Sequence, residues 1–330
     1  MDNRAGSCQC LWDVREWAMD KRVGLAIGEE IAAYGFGDDH PFGYDRHDVF
    51  VDALERQGLL DGLRRTPIRQ ASDDELGSFH SAGYLAKVRE LSKTGAGYLD
   101  LGDTPAFAGM YEITACVVGA VLEAARAIID GEVDRGFVPI AGLHHASRTS
   151  AAGFCVFNDC GVLIEQLHRR WGFERIAYVD IDAHHGDGVY YGFADRPWLI
   201  FADLHEDGRY LYPGTGAAAE TGTGEGEGFK LNIPMAPGAG DREFMAAWSR
   251  VEEFLERHDP QFVILQCGAD SLAGDPITNL RYTPAAHGHA AARLCRFAGG
   301  KVLALGGGGY NRANLAAGWS RVVKEFMAVA

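Results

Sequence analysis

The sequence lacks the features that would send a chain across or into a membrane. No apolar run reaches the ~18 residues of a membrane-spanning helix. The opening residues, Met1-Asp2-Asn3-Arg4-Ala5-Gly6, do not have the basic-then-apolar layout of a signal peptide. The seven cysteines are odd in number and scattered, with Cys8 and Cys10 forming a CxC and no CxxC present. That pattern fits reduced thiols in a cytoplasm better than a disulfide framework. Positive charge is also scarce, with 31 Lys and Arg against 46 Asp and Glu and a formal net charge of −15. This disfavours unaided binding to nucleic acid or an anionic membrane and suits cationic partners, although solubility alone explains it as well. No linker, repeat or low-complexity tract divides the 330 residues, of which 47% are hydrophobic. The expectation is a single α/β domain over 1–330, with 1–22 as an N-terminal extension.

What is present is an alternation of short apolar runs with longer helical stretches. Strands are expected at Val23–Ile27, Phe137–Ala141, Ile176–Ile181, Leu199–Leu204, Phe229–Ile233, Phe262–Cys267 and Val302–Leu305. Helices are expected at Arg46–Gln57 with Asp45 as its cap, and at Met110–Ile129, Asn158–Trp171, Arg242–Arg257, Pro284–Phe297 and Ala313–Met327. Residues Gly35–Tyr44 read as a loop. The alternation implies an open, mostly parallel sheet with helices on both faces. Ligands of such sheets bind in the crevice outside the carboxyl ends of the strands.

The densest patch of ionisable chemistry sits at such a strand end. Tyr178 to Gly188 carries Asp180, Asp182, His184, His185 and Asp187. Asp182 and His184 are two apart, so in an extended backbone their side chains share a face. A carboxylate oxygen and a neutral imidazole nitrogen suit a divalent zinc, and a third ligand must come from another strand. Asp270, just past Phe262–Cys267, is placed to supply it, and two Asp with one His leave a position for water and substrate. Asp275, before Pro276, reads equally well as a turn residue. His144 and His145 follow another buried strand and suit acid/base work, with Asp180 and Asp187 available to orient them. The glycine run 306–309 lacks the lysine and spacing of a phosphate loop. Its better use is to deliver Tyr310, whose hydroxyl can donate to a developing oxyanion; a buried core tyrosine fits the sequence equally.

In this order, the blocks GLHHA (142–146), GFCVFND (153–159), YVDIDAHHGDGV (178–189), YPGTG (212–216), QCGADSLAGDP (266–276) and LGGGGYNRANLAAGW (305–319) resemble the zinc-dependent histone deacetylase family. The likeness is greatest to bacterial acetoin-utilisation-type and class I members. It implies the arginase-deacetylase fold and hydrolysis of an acyl-lysine amide, with an acylated lysine peptide or protein as substrate. It also implies one catalytic zinc on Asp182, His184 and Asp270, and His144 and His145 paired with Asp180 and Asp187. Tyr310 would polarise the carbonyl. Gly153, Phe154 and Tyr212 would belong to the tunnel wall, Asp103 would grip the substrate backbone, and Arg46 would line an internal channel. A structural potassium or sodium ion would rest on Asp180, Asp182, His184, Asp203 and Leu204.

The chain departs from the family pattern at three places. Asp203 replaces a serine, Tyr212 replaces a common Phe, and Ile277 stands where polyamine-selective relatives carry an acid. The last weakens the competing reading of an acetylpolyamine amidohydrolase. A manganese ureohydrolase would need more carboxylates than surround Asp270, and a non-catalytic acyl-lysine module would be expected to have lost ligands that are present here. A homo-oligomer is compatible with the sequence, which does not fix the oligomeric state.

Overall fold

The computed structural model describes residues 22–37 and 40–329. The expected N-terminal extension, apart from Arg22, and the Cys8/Cys10 pair lie outside the described residues.

The strands in chain order are β1 (Val23–Leu25), β2 (Arg64–Arg65), β3 (Arg135–Val138), β4 (Ile176–Asp180), β5 (Leu199–Glu206), β6 (Lys230–Met235), β7 (Phe262–Gln266) and β8 (Val302–Leu305). The helices are α1 (Glu29–Ala32), α2 (Arg46–Arg56), α3 (Asp73–Leu76), α4 (Ala82–Thr94), α5 (Met110–Ile129), α6 (Asp159–Arg169), α7 (Asp187–Gly192), α8 (Asp241–His258), α9 (Pro284–Leu294) and α10 (Arg312–Ala328). The strands form one eight-stranded sheet in the order β2-β1-β3-β8-β7-β4-β5-β6. Every pairing is parallel. β3, β4, β5, β7 and β8 are buried throughout, as strands covered on both faces must be. Ile264, Tyr178 and Leu303 point to one face, packed with α5 and α6. Val263, Leu265, Val179 and Ala304 point to the other, packed with α8, α9 and α10.

Registration is what positions the site. Val138 pairs with Leu305, Leu305 with Gln266, and Gln266 with Asp180. Four strands therefore end level, and the segments that follow them leave the sheet side by side.

Several boundaries differ from expectation, each for a physical reason. β3 starts earlier, at Arg135, because that buried side chain donates from Nη1 to the Phe326 and Val329 carbonyls at the end of α10. β5 runs on to Glu206 because its polar residues are paired inside: Asp203 with His205, and Glu206 with Asn279. Asp45 precedes α2 but makes no side-chain cap; its carboxylate takes Arg312 instead. α4 was not expected, although Ser81 caps it and Gly95 at φ 63° ends it. Among the described residues no helix is long and apolar enough to cross a membrane, and the cysteines there are free thiols.

Candidate active site

β4 and β7 deliver the metal-ligating set. Asp182, His184 and Asp270 each offer one ligand atom, all buried and within 4.8 Å of one another. His184 Nδ1 lies 3.1 Å from Asp182 Oδ1 and 3.2 Å from Asp270 Oδ2. Atoms held ~2.0–2.1 Å from a tetrahedral zinc are ~3.3 Å apart, so the spacing and the donor chemistry both fit that ion. The remaining oxygens are engaged elsewhere. Asp182 Oδ2 accepts from Gln266 Nε2 and from the Gly308 amide, each at 2.9 Å. Asp270 Oδ1 accepts from the Ala183 amide at 2.9 Å. These bonds fix the ligand oxygens toward the imidazole. Burial opposes a charge on His184, but Asp182 and Asp270 outweigh it and raise its pKa to about 10. Asp270, buried and facing the Asp182 carboxylate, is itself raised to about 7. Two buried carboxylates converging on one imidazole call for a cation, which is either a proton on His184 or a metal.

β3 delivers the tandem histidines. His144 Nδ1 lies 2.8 Å from Asp180 Oδ2, and His145 Nδ1 lies 2.7 Å from Asp187 Oδ1. The Asp180 carboxylate also accepts from the Tyr178 hydroxyl at 2.6 Å and from the Asp182 amide at 3.0 Å. Burial works against charging His144, yet Asp180 and Asp182 prevail and hold its pKa at about 10. For His145, burial and the neighbouring His144 charge dominate over Asp187 and lower its pKa to about 4. In the metal-free chain at neutral pH the pair is one imidazolium and one neutral imidazole.

β8 delivers Tyr310 through the glycine run. Its amide donates to Asp275 Oδ2 at 2.8 Å. This gives Asp275 a definite task, so it is more than a turn residue. Burial, Asp270 and Asp182 keep the Tyr310 phenol well above its ordinary pKa, so it remains an O–H donor. Among the described residues that hydroxyl has no hydrogen-bond partner, which leaves it free for a ligand.

A cavity of about 250 Å³ leads in from the surface, lined by Asp103, Gly153, Phe154, Tyr212 and Ile277 above His145, His184 and Tyr310. Phe154 sits at φ 68°, an unusual conformation for a bulky residue, and follows Gly153 at φ 52°. Its amide donates to Thr104 Oγ1 and its carbonyl accepts from the Tyr34 hydroxyl, so the strained turn is held on both sides. Its ring stands edge-on to Tyr310 at 5.7 Å, and the Tyr212 ring lies 5.2 Å from His145. Asp103 is exposed at the rim on a loop gathered by Asp100, whose Oδ1 accepts from the amides of Gly102, Asp103 and Thr104. Arg46 is buried, donating to the Gly309 and Gly307 carbonyls, with Nη1 unpartnered among the described residues. Asp203 has both oxygens engaged, by His205 Nδ1 and the Gly186 amide; Leu204 beside it is buried.

Sequence reasoning missed three supports. Asp159, read only as a helix start, receives the Gly142 and Leu143 amides at 2.7 Å each and so sets the turn carrying His144. Gln266 bridges Asp182 to the Gly142 carbonyl. Asp100 builds the rim loop. No local spacing distinguishes these from ordinary polar residues; their partners are remote in sequence or in a loop that lacks periodicity.

The fold and this grouping define a class: an open parallel α/β chain with a buried Asp-His-Asp donor set and paired imidazoles in its strand-end crevice. Residues 40–326 match the histone deacetylase domain. The chain is 35% identical over 292 residues to acetoin utilization protein AcuC of Bacillus subtilis, covering 84% of this chain and 75% of that protein. It is 34% identical over 286 residues to histone deacetylase 8 of Danio rerio, covering 84% of this chain and 74% of that protein. The crystal structure of the HDA15 HD domain superposes with a TM-score of 0.87 at 28% identity, covering 93% of this chain and 89% of that one. The chain belongs to the histone deacetylase family and has its arginase-deacetylase fold; it is a deacetylase of the hydrolase class.

Proposed function

We propose that this chain is a zinc-dependent lysine deacetylase, one catalytic domain acting on acylated lysine side chains of peptides or proteins in a cytoplasm. The observation that carries the reading is a buried Asp182–His184–Asp270 donor set beside carboxylate-backed histidines at a cavity that His145 and His184 both line. Zinc held there would supply Lewis acidity, bringing the pKa of water from 15.7 toward ~7.

The chain's own groups do the rest. Phe154 and Tyr212 flank the lysine methylenes, and Asp103 takes the substrate backbone at the rim. Neutral His145 accepts the proton of the attacking water and returns one to the leaving amine, with Asp187 holding its ring. His144, backed by Asp180, acts mainly as an electrostatic partner for the charge that develops nearby. Tyr310 donates to the oxyanion as the carbonyl becomes tetrahedral. A monovalent cation, potassium or sodium, would rest on Asp180 and the main chain of Asp182, His184 and Leu204, while His205 meets the charge of Asp203.

The test is hydrolysis of an acetyl-lysine peptide by the zinc-loaded chain, with and without chelator, beside N-acetylputrescine. Chelator-sensitive cleavage of the peptide is expected. Preference for the polyamine would transfer the reading to that substrate. No cleavage of either by chain holding one zinc would overturn it.

A further inference from the structure

The site consists of two chambers of very unequal size. The outer one holds about 250 Å³. The inner one holds about 10 Å³, which is room for about one water molecule. His145, Gly153, His184 and Tyr310 border both, so the chambers meet at the reacting groups. A lysine stem entering from the surface fills the outer chamber. The substituent on the other side of its amide carbonyl must then point into the inner one.

We propose that Phe42 closes the inner chamber to acyl groups longer than acetyl and is the residue that sets acyl length. This rests on the deacetylase reading above and specifies its substrate as the two-carbon amide. Phe42 is on the inner wall with Leu143 and Cys155; much of the remainder is main chain at Gly142, Gly307 and Gly308. That main chain cannot retreat freely, because the Gly308 amide holds Asp182 and the Gly307 carbonyl holds Arg46. Phe42 cannot retreat either. The Arg46 guanidinium lies 3.8 Å over its ring and is pinned by the Gly307 and Gly309 carbonyls. Tyr34 and Phe36 pack edge-on against the same ring at 5.3 and 6.0 Å. A butanoyl group adds two methylenes and an octanoyl group six, and a close-packed wall resists even one.

The experiment compares kcat/KM on one peptide carrying acetyl-, butanoyl- or octanoyl-lysine, for zinc-loaded wild type, Phe42→Ala and Phe42→Leu. The leucine variant keeps an apolar filling should the alanine variant fail to fold. One methylene in a fixed pocket discriminates by ~10–200-fold, so wild type is expected to favour acetyl over octanoyl by at least ~100-fold. Either folded variant is expected to narrow that ratio at least ~10-fold. Wild type that cleaves octanoyl within ~10-fold of acetyl, or a ratio unchanged in the folded variants, overturns the role of Phe42 and leaves the deacetylase reading standing. Wild type that holds zinc and cleaves none of the three peptides removes that reading, and this inference with it.

Discussion

The Nε2 atoms of His144 and His145 lie 3.1 Å apart, yet in the metal-free chain the two rings have opposite protonation. His144 faces a carboxylate with no solvent exposure, and His145 faces one that is 20% exposed. Asp187 therefore orients a ring that is neutral before the reaction and faces the charge that the ring carries once it has taken the water's proton. Asp187→Asn is expected to lower kcat/KM by ~10–100-fold with zinc content unchanged. Turnover at the wild-type level would show that His145 needs no such partner.

The Tyr310 hydroxyl has no hydrogen-bond partner among the described residues, and removing it leaves the ring packing against Phe154 in place. Loss of one oxyanion donor costs ~10²–10³ in turnover, and Tyr310→Phe is expected to fall in that range. The informative pair of measurements is turnover and bound zinc on the same preparation. A fall in both would place the tyrosine in metal retention instead.

Zinc and protons compete for the same atoms. In the metal-free chain His184 keeps its proton up to about pH 10, so over the neutral range zinc must displace it. Affinity should rise ~tenfold per pH unit, and more steeply below about pH 7, where Asp270 also holds a proton. Calorimetric titration of the metal-free chain in buffers of different ionisation heat should report about one proton released at pH 8, rising toward about two near pH 6. An affinity that does not change with pH would contradict the assigned ligands.

Much of this site could be read before the fold was known, because the chemistry lies in short blocks directly after apolar strands. Asp182 with His184, the histidine pair and Asp270 all follow that rule. What could not be read depends on remote pairing. Asp45 looked like a helix cap because nothing local announces Arg312, its partner 267 positions away. β5 seemed to end at Leu204 because His205 and Glu206 look solvated until Asp203 and Asn279 are placed beside them. Phe42 sat unremarked in a glycine-rich loop, since only the closed chamber gives that ring a position of consequence.

The glycine run is a further place where the fold bears on the metal. A Cβ on Gly308 would stand 2.0 Å from Asp270 Oδ2 and 2.9 Å from Asp182 Oδ2. Gly308→Ala is expected to keep the fold, judged by far-ultraviolet circular dichroism, while weakening zinc retention at least ~10-fold. Full zinc occupancy at wild-type affinity would mean that the two aspartates are not the ligands.

β8 lies between β3 and β7 at the centre of the sheet, yet among the described strands it comes last in sequence, at Val302–Leu305. During synthesis, strands β1 to β3 and β4 to β7 leave the ribosome with no sheet bond between the two groups, and the seam awaits a strand still to be made. A nascent chain halted before residue 302 therefore lacks the central staple as well as Tyr310. Its β3 and β7 edges would be unpaired, the condition under which partly made sheets aggregate.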